Sequence, residues 1–151
     1  MEAFEFFIPQ NIMVGAGTMA KLPECAKKLG GSHAMLISGP TLQKMGIVDK
    51  AADYLKEAGM KVDIFTDVEA NPSVTTVEKA TEAFKEAGAD FIVALGGGSP
   101  MDVAKAVGVT AKFGGSITEY EGAHKVPGKI IPLIAIPTTA GTGSEVTAFS
   151  V

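Results

Sequence analysis

The sequence contains one cysteine and only two histidines, and each shortage excludes a class of structure or site. Cys25 alone cannot form an internal disulfide, so a reducing cytoplasm is the expected location. We interpret Cys25 as a small helix residue rather than a nucleophile. His33 and His124 lie far apart and show no spacing typical of metal ligands. They are interpreted as surface residues.

The chain also lacks an excess of positive charge and a long apolar segment. Its formal net charge is −4, and its 13 lysine and arginine residues are scattered, which argues against nucleic acid binding. The longest apolar stretches, such as 130–137, are about eight residues long, whereas a membrane-spanning helix needs roughly 20. The N-terminus lacks the basic start and apolar core of a secretory signal. We therefore expect no nucleic acid partner and no membrane.

Apolar runs alternate with stretches of helical periodicity. Hydrophobic residues make up 46% and charged residues 20% of the sequence, a globular composition. Strands are predicted at 34–38, 61–65, 90–95 and 133–136, and helices at 18–29 with Thr18 as the cap, 42–58, 74–87 and 100–111. The similar endings 56–59 and 85–88 indicate one helix stop used twice. The alternation predicts an α/β fold with a Rossmann-like, mostly parallel sheet and helices on both faces. A short N-terminal β segment is expected within 4–14.

Three glycines follow the third predicted strand and lead directly into a helix, in residues 96–102 (GGGSPMD). Glycines let the backbone turn sharply and approach a ligand closely. Ser99 is predicted to be the N-cap, Pro100 the first helical residue, and Asp102 the partner in a capping-box spacing. The free N–H groups and positive dipole end of such a helix form a site for phosphate.

A purely structural turn and two common nucleotide-binding motifs account for these glycines less well. A tight strand-to-helix turn needs fewer than three glycines in succession. A GxGxxG dinucleotide fingerprint would follow the first strand, and a P-loop would end in Gly-Lys-Ser/Thr; neither pattern is present. Phosphate binding is therefore favoured.

A second polar loop follows the fourth predicted strand, at 137–145 (PTTAGTGSE). It carries several hydroxyls and two glycines at the carboxyl end of a parallel strand, where open α/β sheets bind ligands. The alternative is an ordinary loop in which Thr142 caps a short helix. Two such loops on one sheet edge favour a ligand site.

Taken together, 96–102 and 137–147 resemble the iron-dependent (group III) alcohol dehydrogenases, as do 7–9, 15–17 and Asn71-Pro72. The resemblance covers the whole chain in order. It implies that 1–151 is an NAD(P)-binding domain and that a helical, metal-binding domain follows beyond 151. The strand-like alternation of 147–151, which stops without a polar tail, agrees with that expectation. Open alternatives are a relative of glycerol dehydrogenase or dehydroquinate synthase, and a non-catalytic nucleotide-binding module.

The resemblance also implies an activity. Similar enzymes transfer hydride between a primary alcohol or diol and NAD or NADP, giving an aldehyde, with Fe²⁺ (or Zn²⁺) lowering the pKa of the alcohol. The metal ligands there are one Asp and three His of the C-terminal domain, so no metal ligand and no catalytic residue is carried over to this chain. A cytoplasmic homo-oligomer, such as a dimer, is expected.

The resemblance assigns cofactor-binding residues by position. It implies that the pyrophosphate is held by Gly97, Gly98 and Ser99, that the cofactor is lined by Thr138, Thr139 and Thr142, that Asn71 lies near the adenosine and Phe149 near the nicotinamide, and that Asp102 and Thr147 complete the set.

Gly39 departs from the pattern of the family. Members that prefer NAD usually have Asp at this position, where a carboxylate bonds the ribose 2′-hydroxyl and repels a 2′-phosphate. Gly39 therefore predicts that the protein accepts NADPH, alone or alongside NADH.

Overall fold

The computed structural model describes residues 10–122 and 124–147, and its centre is a parallel sheet. The strands are β1 (His33–Ser38), β2 (Lys61–Phe65), β3 (Phe91–Gly96) and β4 (Leu133–Pro137). Their order is β2-β1-β3-β4, and all three pairings are parallel. The predicted α/β class and parallel sheet are confirmed.

Helices cover both faces of this sheet, as predicted. They are α1 (Leu22–Lys28), α2 (Pro40–Lys44), α3 (Ile47–Glu57), α4 (Val74–Ala87) and α5 (Gly98–Phe113), with 3₁₀ helices at Thr18–Lys21 and Ile117–Tyr120. Alternate residues of β1 point to opposite faces. Leu36 packs in a core with α1 and α3, and Ile37 packs in a second core with α4 and α5. Within the described part of the chain, no helix is both long and apolar enough to cross a membrane.

Two helix stops follow the predicted common pattern. After α3, Gly59 has a φ of 83° and the N–H of Met60 donates to the carbonyl of Leu55 at 3.1 Å. After α4, Gly88 has a φ of 69° and the N–H of Ala89 donates to the carbonyl of Phe84 at 3.3 Å. Both are the six-to-one bond of a helix end with a left-handed glycine.

Several sequence predictions were wrong in detail. A single helix was predicted at 42–58, but the structure has two. Gly46, between α2 and α3, has a φ of 75°, and this left-handed backbone interrupts the helix. Thr18 does not cap α1: it lies in a 3₁₀ helix, and its hydroxyl donates to the carbonyl of Gly15 at 3.0 Å. Residues 10–14 form no strand, and 4–9 and 148–151 lie outside the described residues.

At the amino edge of the sheet, Asp90 joins the starts of β1 and β3. Its carboxylate accepts hydrogen bonds from the backbone N–H of Ser32 and of His33, each at 3.0 Å, and from the Ser32 hydroxyl at 2.6 Å. Burial alone would raise the pKa of Asp90, but these bonds to the ionised form lower it. This edge is therefore fixed by local polar contacts.

Gly31 is required by packing rather than by its φ. A Cβ at this position would lie 2.4 Å from Cδ1 of Phe91, a ring that is fully buried in the core. We expect Gly31→Ala to lower the free energy of unfolding in urea by about 1–3 kcal/mol, because the ring must move within a close-packed core.

The matched control for Gly31→Ala is the double variant with Phe91→Leu, whose smaller side chain leaves room for the methyl group. The double variant should lose less stability than the sum of the two single variants. Strict additivity would contradict the packing interpretation.

Candidate functional site

The site lies at the carboxyl edge of the sheet, where β1 and β3 are neighbours although β2 separates them in sequence. The chain leaves β1 toward β2 on one side and returns to β3 on the other. Open α/β sheets bind ligands in the crevice at such a switch point. The buried Ser38 hydroxyl donates to the carbonyl of Leu95 at 2.7 Å, and this bond holds the two strand ends together beneath the crevice.

The turn after β3 consists of bare backbone. Gly96 has a φ of 147°, and a Cβ there would lie 2.8 Å from Cγ of Pro100, so this position needs glycine. Gly97 is extended and serves as the N-cap of α5, which begins at Gly98 without a side-chain cap. The positive end of the α5 dipole and its first N–H groups therefore face the crevice.

The predicted capping by Ser99 was wrong. Ser99 is the second residue of α5 and Pro100 the third, so the N-cap is Gly97, which has no side chain to accept a hydrogen bond. The predicted capping box of Ser99 with Asp102 is therefore not formed at this helix start. The helix begins earlier because Gly97 and Gly98 accept the required backbone angles without a side chain.

The loop after β4 packs directly against this turn. β3 and β4 stay paired up to Gly96 and Pro137, and the Thr138 N–H then donates to the Gly96 carbonyl at 2.9 Å. A Cβ on Gly97 would lie 3.1 Å from the hydroxyl oxygen of Thr139. The two loops that the sequence singled out therefore form one surface.

Gly98 meets the far part of the same loop. A Cβ on Gly98 would lie 3.4 Å from the Ser144 hydroxyl oxygen and 3.7 Å from Cγ2 of Thr142. Thr142 does not cap a helix: its hydroxyl accepts from the N–H of Ser144 at 3.4 Å, and the N–H of Val146 closes a turn on Gly143 at 3.0 Å. The hydroxyls of Thr139 and Ser144 and the methyl group of Thr142 therefore lie next to the start of α5.

Gly39 and Asn71 lie on the neighbouring strand ends. Gly39 follows β1 with φ −100° and ψ 162°, and a Cβ there would meet only the Val68 carbonyl oxygen, at 3.8 Å. Asn71 is exposed in the loop after β2 and has a φ of 54°, a left-handed conformation that asparagine tolerates. Gly39 therefore lies at the same edge of the sheet as the turn after β3, and Asn71 lies in the loop between β2 and α4.

The sequence patterns did not indicate Glu69, which fixes the loop that carries Asn71. Its carboxylate accepts from the N–H of Ser73 at 2.9 Å and from the Thr76 hydroxyl at 2.6 Å. The hydrogen bonds from Thr76 and then Ser73 lower the pKa of Glu69 to about 2. The sequence signal that could have revealed Glu69 is a carboxylate four residues before Ser73, the N-cap of α4.

The sequence patterns also did not indicate Lys105 on α5. Its ammonium group donates to the Thr147 hydroxyl at 3.2 Å, beside Asp102 and Glu145. Burial lowers the pKa of Lys105, while the two carboxylates oppose that shift. The only sequence signal that could have indicated Lys105 is its spacing of three residues from Asp102, which places both on one helix face.

The two histidines do not belong to this site. His33, at the start of β1 and so at the opposite edge of the sheet, contacts Asp63 of β2 through Nε2 at 2.6 Å. His124 is exposed. Among residues 10–122 and 124–147, no group of three His, Cys, Asp or Glu side chains could hold a metal ion. Phe149 lies outside the described residues.

Known proteins resemble the chain over almost its full length. Residues 9–151 match the family described as iron-containing alcohol dehydrogenase. Choline dehydrogenase of Bacillus subtilis is 44% identical over 100% of the chain and 39% of the relative. NAD-dependent methanol dehydrogenase of Bacillus methanolicus is 37% identical over 97% of this chain and 38% of the relative. NADPH-dependent butanol dehydrogenase of Clostridium saccharobutylicum is 40% identical, again over 97% of this chain and 38% of the relative.

Solved structures agree with the sequence matches. A 1,3-propanediol oxidoreductase superposes with a TM-score of 0.92 at 38% identity, over 97% of this chain and 38% of that one. Sulfoacetaldehyde reductase from Bifidobacterium kashiwanohense, solved in complex with NAD⁺, superposes with a TM-score of 0.87 at 35% identity, over 97% of this chain and 39% of that one. The chain therefore spans about two fifths of the length of the proteins it matches.

The carboxylate of Glu69 makes the stability of the loop after β2 depend on pH. Its folded pKa lies below the ordinary value of 4.5, so its contribution is present above pH 4.5 and is lost as the pH falls toward 2. We expect Glu69→Gln to be less stable than the wild type at neutral pH, with a gap that narrows below pH 4.5. Urea unfolding between pH 3 and 7 measures it; a gap that stays constant across this range would refute the assignment.

Proposed function

Because the chain belongs to the iron-containing alcohol dehydrogenase family, we propose that it is the NAD(P)-binding part of a metal-dependent alcohol dehydrogenase. The observation that carries the proposal is the surface formed by Gly97 and Gly98 with Thr139, Thr142 and Ser144. Any side chain at the two glycines would occupy the space in front of α5. A bare helix start walled by hydroxyls suits a pyrophosphate.

Each part of the surface has a task in this proposal. The backbone at Gly97, Gly98 and Ser99 binds the pyrophosphate, and Thr138, Thr139 and Thr142 line the cofactor. A carboxylate such as Asp102 accepts hydrogen bonds and suits a hydroxyl or amide rather than a phosphate. When NAD(P) is bound, its nicotinamide exchanges a hydride with the carbon of the alcohol. Thr147 and Phe149 complete the proposed set, with Phe149 on the nicotinamide side.

We propose that the family's metal is held by residues outside the described part of the chain. The described residues supply no group of His, Asp, Glu or Cys that fits an ion, so we assign no step of the reaction to a metal here. We propose that a second domain supplies the ligands. The task of the residues described above is to bind the cofactor and to orient its reactive ring.

The substrate and the assembly are also part of the proposal. Several of the relatives are named for small alcohols, among them methanol, butanol and 1,3-propanediol. We propose a primary alcohol or diol, with its aldehyde, as the substrate of this protein. A cytoplasmic homo-oligomer completes the proposal.

Gly98→Val tests the pyrophosphate site, because the branched side chain would fill the gap to Ser144 and Thr142. Hydrogen bonds to a charged group contribute about 1.5–3 kcal/mol each, so losing two weakens NAD(P)H binding by at least about a hundredfold. Nicotinamide fluorescence measures binding with little protein emission, since the chain has no tryptophan.

The matched control for Gly98→Val is Gly128→Val, at an exposed glycine whose Cβ would meet only the Phe113 ring at 3.9 Å. It should bind the cofactor like the wild type. A folded wild type that binds neither NADH nor NADPH would sink the proposal.

The position of Gly39 sets the choice between NADH and NADPH. Its φ of −100° is open to any residue, and the nearest atom leaves room for a side chain. We propose that the wild type accepts NADPH alongside NADH, because no carboxylate stands here to repel a 2′-phosphate.

Gly39→Asp should weaken NADPH binding relative to NADH by about tenfold or more, since a carboxylate repels a phosphate at short range. Gly39→Asn is the control for size, and it should leave the ratio of the two dissociation constants close to that of the wild type. A wild type that clearly prefers NADH would refute the role of Gly39.

A further inference from the structure

One face of α5 lies against the loop after β4 at two positions along the helix. Gly98 and Lys105 are seven residues apart, which places them on the same face, about 10 Å apart along the helix. Gly98 faces Ser144 and Thr142, and Lys105 reaches Thr147. The loop therefore lies close to the helix at Gly98 and is hydrogen-bonded to it at Lys105.

The chemistry of this contact fixes the direction of a hydrogen bond. A lysine ammonium group has three donors and no acceptor. The Thr147 oxygen, 3.2 Å from Nζ of Lys105, is therefore the acceptor. The hydroxyl proton of Thr147 must therefore point away from Lys105, and it can be donated to another acceptor.

Lys105 also balances two carboxylates beside a site for an anion. Asp102 precedes Lys105 by one helical turn, and Glu145 belongs to the facing loop; both act on the charge of Lys105. Oε2 of Glu145 is buried and accepts no hydrogen bond from the described residues. Without the positive charge of Lys105, the potential close to the proposed pyrophosphate site would be more negative.

We propose that Lys105 is a positioning residue of the cofactor site: it holds the Thr147 loop on α5 and directs the Thr147 hydroxyl proton toward an oxygen of the bound dinucleotide. This inference rests on the proposed function. Lys105 acts through Thr147 and need not touch the cofactor.

Substitutions at Lys105 and Thr147 test this role in the purified protein, with NADH and NADPH as probes. Lys105→Met keeps the aliphatic stem and removes the charge, and it should weaken binding by at least about tenfold, the value of one hydrogen bond to a charged group. Lys105→Arg keeps charge and donors and should restore binding to within about threefold of the wild type. Lys112→Met removes an exposed lysine one heptad further along α5 and should leave binding unchanged.

A double variant separates positioning from a general effect on stability. If Lys105 acts through Thr147, Lys105→Met should weaken binding much less in the Thr147→Val background than in the wild type, and what remains is the effect of the lost positive charge beside Asp102 and Glu145. Fully additive losses, or Lys105→Met binding like the wild type, would overturn the inference and leave the proposed function intact. A folded wild type that binds neither dinucleotide would overturn both.

Discussion

The pairing of β1 with β3 is the contact on which the candidate site depends. It joins two strands that are separated in sequence by α2, α3, β2 and α4. That pairing places Gly39, which follows β1, beside Gly97, which follows β3. The buried bond from Ser38 to the Leu95 carbonyl closes the pair at its carboxyl end. If β1 and β3 separated, the two turns would no longer share a crevice.

The two edges of the sheet differ in which groups are exposed there: polar side chains at the amino edge and glycine backbone at the carboxyl edge. At the amino edge, polar side chains bind backbone and one another: Asp90 binds Ser32 and the His33 N–H, and Asp63 contacts the His33 ring. At the carboxyl edge, the turn after β3 carries no side chain, and its neighbours supply hydroxyls. Polar groups satisfied within the protein stabilise it, whereas free N–H groups bind ligands. The polar groups of the amino edge are therefore satisfied within the protein, and the carboxyl edge is the one that we propose binds a ligand.

The sequence predicted what depends on period and local chemistry. The strand at 61–65 and the helix at 74–87 follow from the sequence pattern of each segment, and the meeting of the two loops follows from the parallel topology. It did not predict the break at Gly46, because the helical period continues across it. Lys105 with Thr147 was also missed, since a contact between residues 42 positions apart leaves no local pattern.

The wrong prediction at Ser99 shows which effect decides the start of α5. A serine cap would bind one of the first N–H groups of the helix to its own side chain. Glycine as the N-cap costs only about a few tenths of a kcal/mol relative to serine. A hydrogen bond to a charged phosphate contributes about 1.5–3 kcal/mol. The loss of a cap at Gly97 is therefore several times smaller than the gain from leaving the helix start open, provided that the facing hydroxyls are held in place.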